Sequence, residues 1–111
     1  MNNSIEDLLL QLRQFRDERD WAQFHNAKDL ALALSIEAAE LNEQFLWEKP
    51  EEANEQKVRE ELADVLLYAF HLVDKYGWNI TEFMAEKLAR NAEKYPVDKA
   101  RSSARKYDEI L

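Results

Sequence analysis

Apolar residues recur three and four positions apart along most of this chain. The longest such run, Val58, Leu62, Val65, Leu66, Ala69, Phe70 and Val73, excludes a strand at that place. A half-buried strand alternates apolar and polar residues, whereas this spacing lays its side chains along one side of a helix. The run ends at Gly77, the only glycine in 111 residues, where a left-handed residue would close the helix. One glycine and two prolines leave little to build hairpins or tight loops, and the chain is read as all-α.

Four helices are expected. Ser4 can cap the first, with Asp7 favouring its N-terminus, and its stripe is Ile5, Leu8, Leu9, Leu12 and Phe15, ending near Arg16. Between Asp17 and Asn26 the pattern breaks into a polar stretch bearing Trp21, Phe24 and His25, read as a connection with a binding role. Asn26 caps a second helix reaching about Trp47, which Lys49-Pro50-Glu51-Glu52 interrupts because proline disfavours helical geometry in the residue before it. The third helix spans about Asn54 to Tyr76. Asn79, with Glu82 three residues on, resembles a capping box for a fourth helix carrying Ile80, Phe83, Met84 and Leu88 and ending near Tyr95-Pro96. Residues 97–111 hold too few apolar side chains for an independent element and read as an arm on a single domain of residues 1–111. No internal repeat is visible.

Two acidic pairs lie inside these apolar stretches, Glu37-Ala38-Ala39-Glu40 and Glu61-Leu62-Ala63-Asp64. Residues three apart share a helix face, so each pair aims two carboxylates one way. Glu37 shares its face with Leu30, Ala33, Leu34 and Leu41, and Glu61 lies beside Val58 and Val65. Two carboxylates 6 Å apart repel by roughly 3 kcal/mol at an effective dielectric near 20, and by under about 1 kcal/mol in water. A partly buried cluster therefore needs cations or protons, while a solvated acidic face needs neither. A chain this short hides such a cluster poorly by itself, which favours an oligomer.

The net charge of −8 argues against a nucleic-acid polymer or an anionic membrane as partner, since both are bound by an excess of lysine and arginine. The absence of cysteine excludes thiolate zinc sites and cysteine nucleophiles. The N-terminal residues show no basic segment followed by an apolar run, and no stretch approaches about 18 apolar residues, so a cytoplasmic protein is expected.

Inward carboxylates on helices first suggest a di-iron bundle, but neither His25 nor His71 has a glutamate three residues before it. All-oxygen ligation suits Mg²⁺ or Mn²⁺, and Mg²⁺ binds through a few carboxylates together with substrate phosphates, which points toward a nucleotide. Trp21, Phe24, His25, Trp47 and Tyr68 are either recognition residues or core anchors. His71 reads as a hydrogen-bonded structural group. Lys87, Asn91 and Lys94 extend one face of the fourth helix, to meet phosphate or sugar or to lie in solvent.

These residues resemble the MazG-type all-α nucleoside triphosphate pyrophosphohydrolases, which pair a Glu-x-x-Glu helix with a Glu-x-x-Asp helix, here Ile36-Glu37-Ala38-Ala39-Glu40 and Glu60-Glu61-Leu62-Ala63-Asp64. The strings Phe15-Arg16-Asp17-Glu18-Arg19-Asp20-Trp21 and Gln23-Phe24-His25, then Trp47, Asp64-Val65-Leu66 with Tyr68, and Lys94-Tyr95-Pro96-Val97, are similar to the dCTP pyrophosphatase branch. The resemblance implies a four-helix bundle completed by oligomerisation, a homotetramer or alternatively a homodimer. It implies hydrolysis of a nucleoside triphosphate to the monophosphate and pyrophosphate, with Mg²⁺ held by Glu37, Glu40, Glu61 and Asp64 as the catalytic set. It further implies that Trp21, Phe24, His25, Trp47 and Tyr68 line a nucleoside pocket, and that Lys87, Asn91, Lys94 and Tyr95 approach phosphate or sugar. The expected substrate is dCTP or a modified dCTP, in nucleotide-pool sanitation, and Glu40 or Glu37 is the expected base. One departure stands out: much of the family opens the first motif with two adjacent glutamates, and here the leading position is Ile36. The competing readings are the same reaction on another triphosphate such as dUTP, and a non-enzymatic acidic module that docks a basic partner.

Overall fold

The computed structural model describes residues 4–104. Among them lie five α-helices and no strand: α1 (Ile5–Glu18), α2 (Ala27–Glu43), α3 (Glu55–Tyr76), α4 (Ile80–Lys94) and the one-turn α5 (Val97–Ala100). Short 3-10 turns occupy Ala22–Phe24 and Pro50–Glu52.

The caps follow from side-chain chemistry. Ser4, Asn26, Asn54 and Asn79 each accept a hydrogen bond from the backbone N–H three residues on, at 3.1, 2.9, 3.2 and 3.1 Å, satisfying a donor that a helix start leaves open. At the far end of α3, Gly77 adopts φ 71 and its N–H donates to the carbonyls of Asp74 and Val73. A Cβ there would meet nothing within 4 Å, so Gly77→Ala carries only the left-handed backbone cost. It should destabilise the protein by about 1 kcal/mol, read as a lower urea midpoint with an unchanged slope.

Two boundaries differ from the sequence reading. Helix α2 stops at Glu43, short of Trp47: the N–H groups of Gln44, Phe45 and Leu46 donate to carbonyls three residues back, tightening the last turn, and Trp47 turns left-handed at φ 66. Lys49 is extended ahead of Pro50, as proline demands, so the helix must unwind before it. Within the expected arm, Val97–Ala100 closes one helical turn on Pro96, whose carbonyl accepts from Lys99 and Ala100. The rest of that arm from residue 105 on lies outside the described residues.

The chain divides after Gly77 into two compact units. In the first, α2 packs along α3, and α1 lies against α3. Asp74, with a side chain 14 % exposed, ties α1 to α3 by accepting from Arg13 Nε at 2.6 Å and Arg16 Nη1 at 2.9 Å. Among the described residues the buried core is small, consisting of Leu12, Leu30, Val73 and the ring of His71. Leu32 and Ile36 of α2 and Leu62 and Leu66 of α3 are exposed. The apolar stripe of α3 is thus wider than one neighbour covers, and Val58, Glu61 and Val65 are more buried than Leu62 and Leu66. In the second unit, Trp78 packs edge-on against Phe83 at 5.7 Å, and the remaining stripe of α4, Met84 and Leu88, is exposed. No helix among the described residues is long and apolar enough to cross a membrane.

Candidate active site

The two acidic pairs meet because α2 and α3 pack through the faces that carry them. Oxygens of Glu37, Glu61 and Asp64 come within 4.8 Å of one another. Glu37 and Glu61 are half-buried and Asp64 is exposed. Oε2 of Glu37 and Oε2 of Glu61 are shut off from water with no hydrogen-bond partner. A desolvated, unpaired carboxylate oxygen costs on the order of several kcal/mol unless a proton or a cation meets it.

Protonation is the metal-free remedy. Glu37 is pushed up to about 7, chiefly by the adjoining Glu40 carboxyl, which can share a proton with it, then by burial and by the charges of Glu40, Asp64 and Glu61. Glu61 is also raised, first by burial and then by Glu40, with Asp64 and Glu60 adding repulsion. Glu40 thus adjoins both, and four carboxyls gather from the two helices. A divalent ion would relieve the same repulsion while meeting the orphaned oxygens. The donors are all oxygen, which fits Mg²⁺ or Mn²⁺ rather than a nitrogen- or sulfur-seeking metal.

Asp64 also lines a cavity of about 380 Å³. Leu8, Leu12 and Phe15 of α1 and Leu67 of α3 give it apolar walls, and Trp21, His25, Tyr68 and His71 add rings. Gln11 contributes an amide. Phe15 and Trp21 meet edge to face at 5.7 Å, and the Arg19 guanidinium lies 3.7 Å over the Phe15 ring and 6.0 Å from that of Trp21. Stacking of this kind stiffens the segment that bears Trp21. The rings of His25 and His71 pack at 4.6 Å, with Tyr68 at 6.2 Å from His71. His71 falls to about 4 through burial, then the charges of His25 and Arg16, against an opposing pull from Asp74. His25 is lowered by burial, then by Arg16 and Lys75. Both imidazoles are neutral at pH 7.

Of the residues expected around the nucleoside, Trp21, His25 and Tyr68 line this cavity together with Asp64. Phe24 and Trp47 stand outside it, 63 % and 99 % exposed. On the second unit, Lys87 and Asn91 line a shallow groove of about 450 Å³ along α4 with Phe83, Met84, Leu88 and Arg90. Lys94 is the last residue of α4, and Tyr95 caps it, its N–H donating to the Asn91 carbonyl at 2.8 Å. The sequence reading passed over Gln11 and Leu67. Gln11 had a visible signal, a polar side chain one turn from Leu8 and Phe15 beside the apolar stripe of α1. Leu67 had none, since it interrupts no pattern.

Comparison with known proteins adds three findings. Residues 32–110 match the MazG-like family. Over 115 aligned positions the chain is 36 % identical to dCTP pyrophosphatase 1 of Homo sapiens and 35 % identical to that of Mus musculus, in each case spanning 96 % of this chain and 68 % of the relative. It also resembles the crystal structure of a pyrophosphatase from Archaeoglobus fulgidus, with 40 % identity and a TM-score of 0.79 over 86 % of this chain and 95 % of that one.

Proposed function

We propose, from the premise that this chain belongs to the MazG-like family, that it hydrolyses dCTP or a modified dCTP to the monophosphate and pyrophosphate. The chain is a nucleoside triphosphate pyrophosphohydrolase. The observation that carries the finer reading is the double membership of Asp64, in the carboxylate cluster and in the wall of the ring-lined cavity. One residue then borders both the place for a metal–polyphosphate and the place for a nucleoside.

Glu37, Glu40, Glu61 and Asp64 would hold Mg²⁺, or Mn²⁺ in its stead. Bound there, the ion would offset phosphate charge and lower the pKa of water. Glu40 lies at the edge of the three-oxygen group, and we assign the proton from the attacking water to the carboxylate oxygen it does not give to the ion, with Glu37 as the alternative base. The water oxygen bonds to the α or the β phosphorus, the bridge between them breaks, and the bridging oxygen leaves with the bond's electrons on the product that was not attacked, giving monophosphate and pyrophosphate. Trp21 and Tyr68 pack the nucleoside, and apolar Leu8, Leu12 and Leu67 keep bulk water from that end. Lys87, Asn91, Lys94 and Tyr95 are assigned to phosphate or sugar, and Phe24 and Trp47 to closing over the base. A small core beside exposed Leu32, Ile36, Leu62 and Leu66 supports a homotetramer, with a homodimer as the alternative. The cellular role assigned is clearance of unwanted deoxynucleotides.

Purified protein with Mg²⁺ and a panel of canonical and modified triphosphates, its products resolved by ³¹P NMR, tests this. Monophosphate and pyrophosphate should form from dCTP ahead of CTP and dUTP. Equal turnover of dCTP and CTP would remove the sugar preference, and release of orthophosphate alone would remove the reaction.

A further inference from the structure

His71 is the one buried polar side chain among the described residues, 9 % exposed, on the helix that carries Glu61, Asp64 and Tyr68. A core position that asks only for volume is filled at less cost by leucine or phenylalanine, because an imidazole brings nitrogens that must be paired or desolvated. What His71 touches explains its place. Its ring packs on that of His25 at 4.6 Å and an interplanar angle of 64°, and both rings line the cavity. His25 closes the 3-10 turn Ala22–Phe24, and Trp21 opens it. His25 Nδ1 is out of water with no hydrogen-bond partner, so that nitrogen anchors nothing, and ring packing holds the side chain.

We infer that His71 is a positioning residue for the nucleoside end of the site, holding His25, and through it the turn that bears Trp21, against α3. The inference rests on the nucleotide reading of the cavity given above. The charged groups acting on the pair are Arg16 of α1 and Asp74 and Lys75 of α3; burial and the cations Arg16 and Lys75 favour neutral rings, and the opposing pull of Asp74 on His71 is the weaker effect. Neutral rings offer a polyphosphate no counter-charge, so that end of the cavity is left to the nucleoside. A turn already docked spares the ordering cost of its side chains on binding.

The test uses the full chain with Mg²⁺ and dCTP. His71→Ala should raise KM about tenfold while kcat stays within about twofold, since about 1.4 kcal/mol of lost preorganisation corresponds to a factor of ten. His71→Phe, which restores a ring without nitrogens, should bring KM back to within about threefold of the parent. The chain has two histidines, so its imidazole Hε1 region in ¹H NMR holds two lines. The parent should show a nuclear Overhauser contact between them, and the His25 line should stay ring-shifted in His71→Phe and relax toward its free position in His71→Ala. If His71→Ala does not fold, His71→Gln, of similar length but ringless, takes its place with the same expected rise in KM. An unchanged KM in the ringless variant, a KM in His71→Phe as poor as in it, a loss confined to kcat, or no contact between the two rings would each overturn the inference. Absence of turnover in the parent protein would instead sink the proposed reaction, and the two NMR readings would still decide whether His71 holds His25.

Discussion

Asp64→Asn and Glu61→Gln are each expected to leave a folded protein that hydrolyses its triphosphate at least about a hundredfold more slowly, because metal assistance contributes several kcal/mol to such a transition state. The fold should survive because neither side chain completes the core. Asp64 is exposed, and Glu61 offers the helix interface an oxygen that finds no partner. Removing one negative charge from the four relieves repulsion, so both variants should melt at or above the parent's temperature in the absence of metal. Steady-state kinetics on protein matched by circular dichroism and melting temperature separates lost chemistry from lost structure. A folded Asp64→Asn variant with full activity would move the site elsewhere.

Chelation of divalent ions should remove activity entirely and expose the cost of the cluster as a pH-dependent instability. Glu37 binds its proton more tightly folded, at about 7, than its ordinary 4.5. The folded state therefore holds more protons in that window, and the stability contributed by this group is present below about 4.5 and lost as the pH rises through about 7. His71 acts oppositely. Its pKa falls from 6.5 to about 4, so its contribution is present above 6.5 and lost as the pH drops toward 4. The two slopes oppose one another in the parent, and a difference measurement isolates the first. In EDTA, Glu37→Gln should match the parent near pH 4.5 and exceed it increasingly up to pH 7, by on the order of 5 °C in melting temperature, with no further gain above that. Saturating Mg²⁺ should reverse the order, since the parent gains about 2.7 kcal/mol at a hundred times the dissociation constant and the variant gains less. Parallel melting curves with pH for the two proteins in EDTA would mean that Glu37 is an ordinary solvated carboxylate.

Much of the helical plan was legible because its signals are local. A cap needs one side-chain oxygen three residues from an open N–H, and Ser4, Asn26, Asn54 and Asn79 all supply it. A helix end needs a residue that tolerates positive φ, and Gly77 is there. The end of α2 was misread because periodicity continues through Phe45 and Leu46, while the stop comes from a proline several residues downstream acting through tight turns and a left-handed Trp47. The width of the apolar stripe on α3 misled in another way. Periodicity marks which residues can be buried, but only a packed neighbour selects which of them are.

The acid spacing by itself determined that each helix offers two carboxylates on one face, a consequence of 3.6 residues per turn that needs no other part of the chain. It could not determine that Glu37 and Glu61 would lose an oxygen each to a dry interface, nor that Asp64 would border a cavity walled by α1. Nor could it place His71, sixty-odd residues' worth of helix and turn away from Leu8, in that cavity beside His25. Those facts depend on distances across helices, which packing sets and no local pattern records. Burial of Glu37 and Glu61 turns the acid cluster from a solvated face into a charge that must be answered, and burial is a property of the tertiary structure alone.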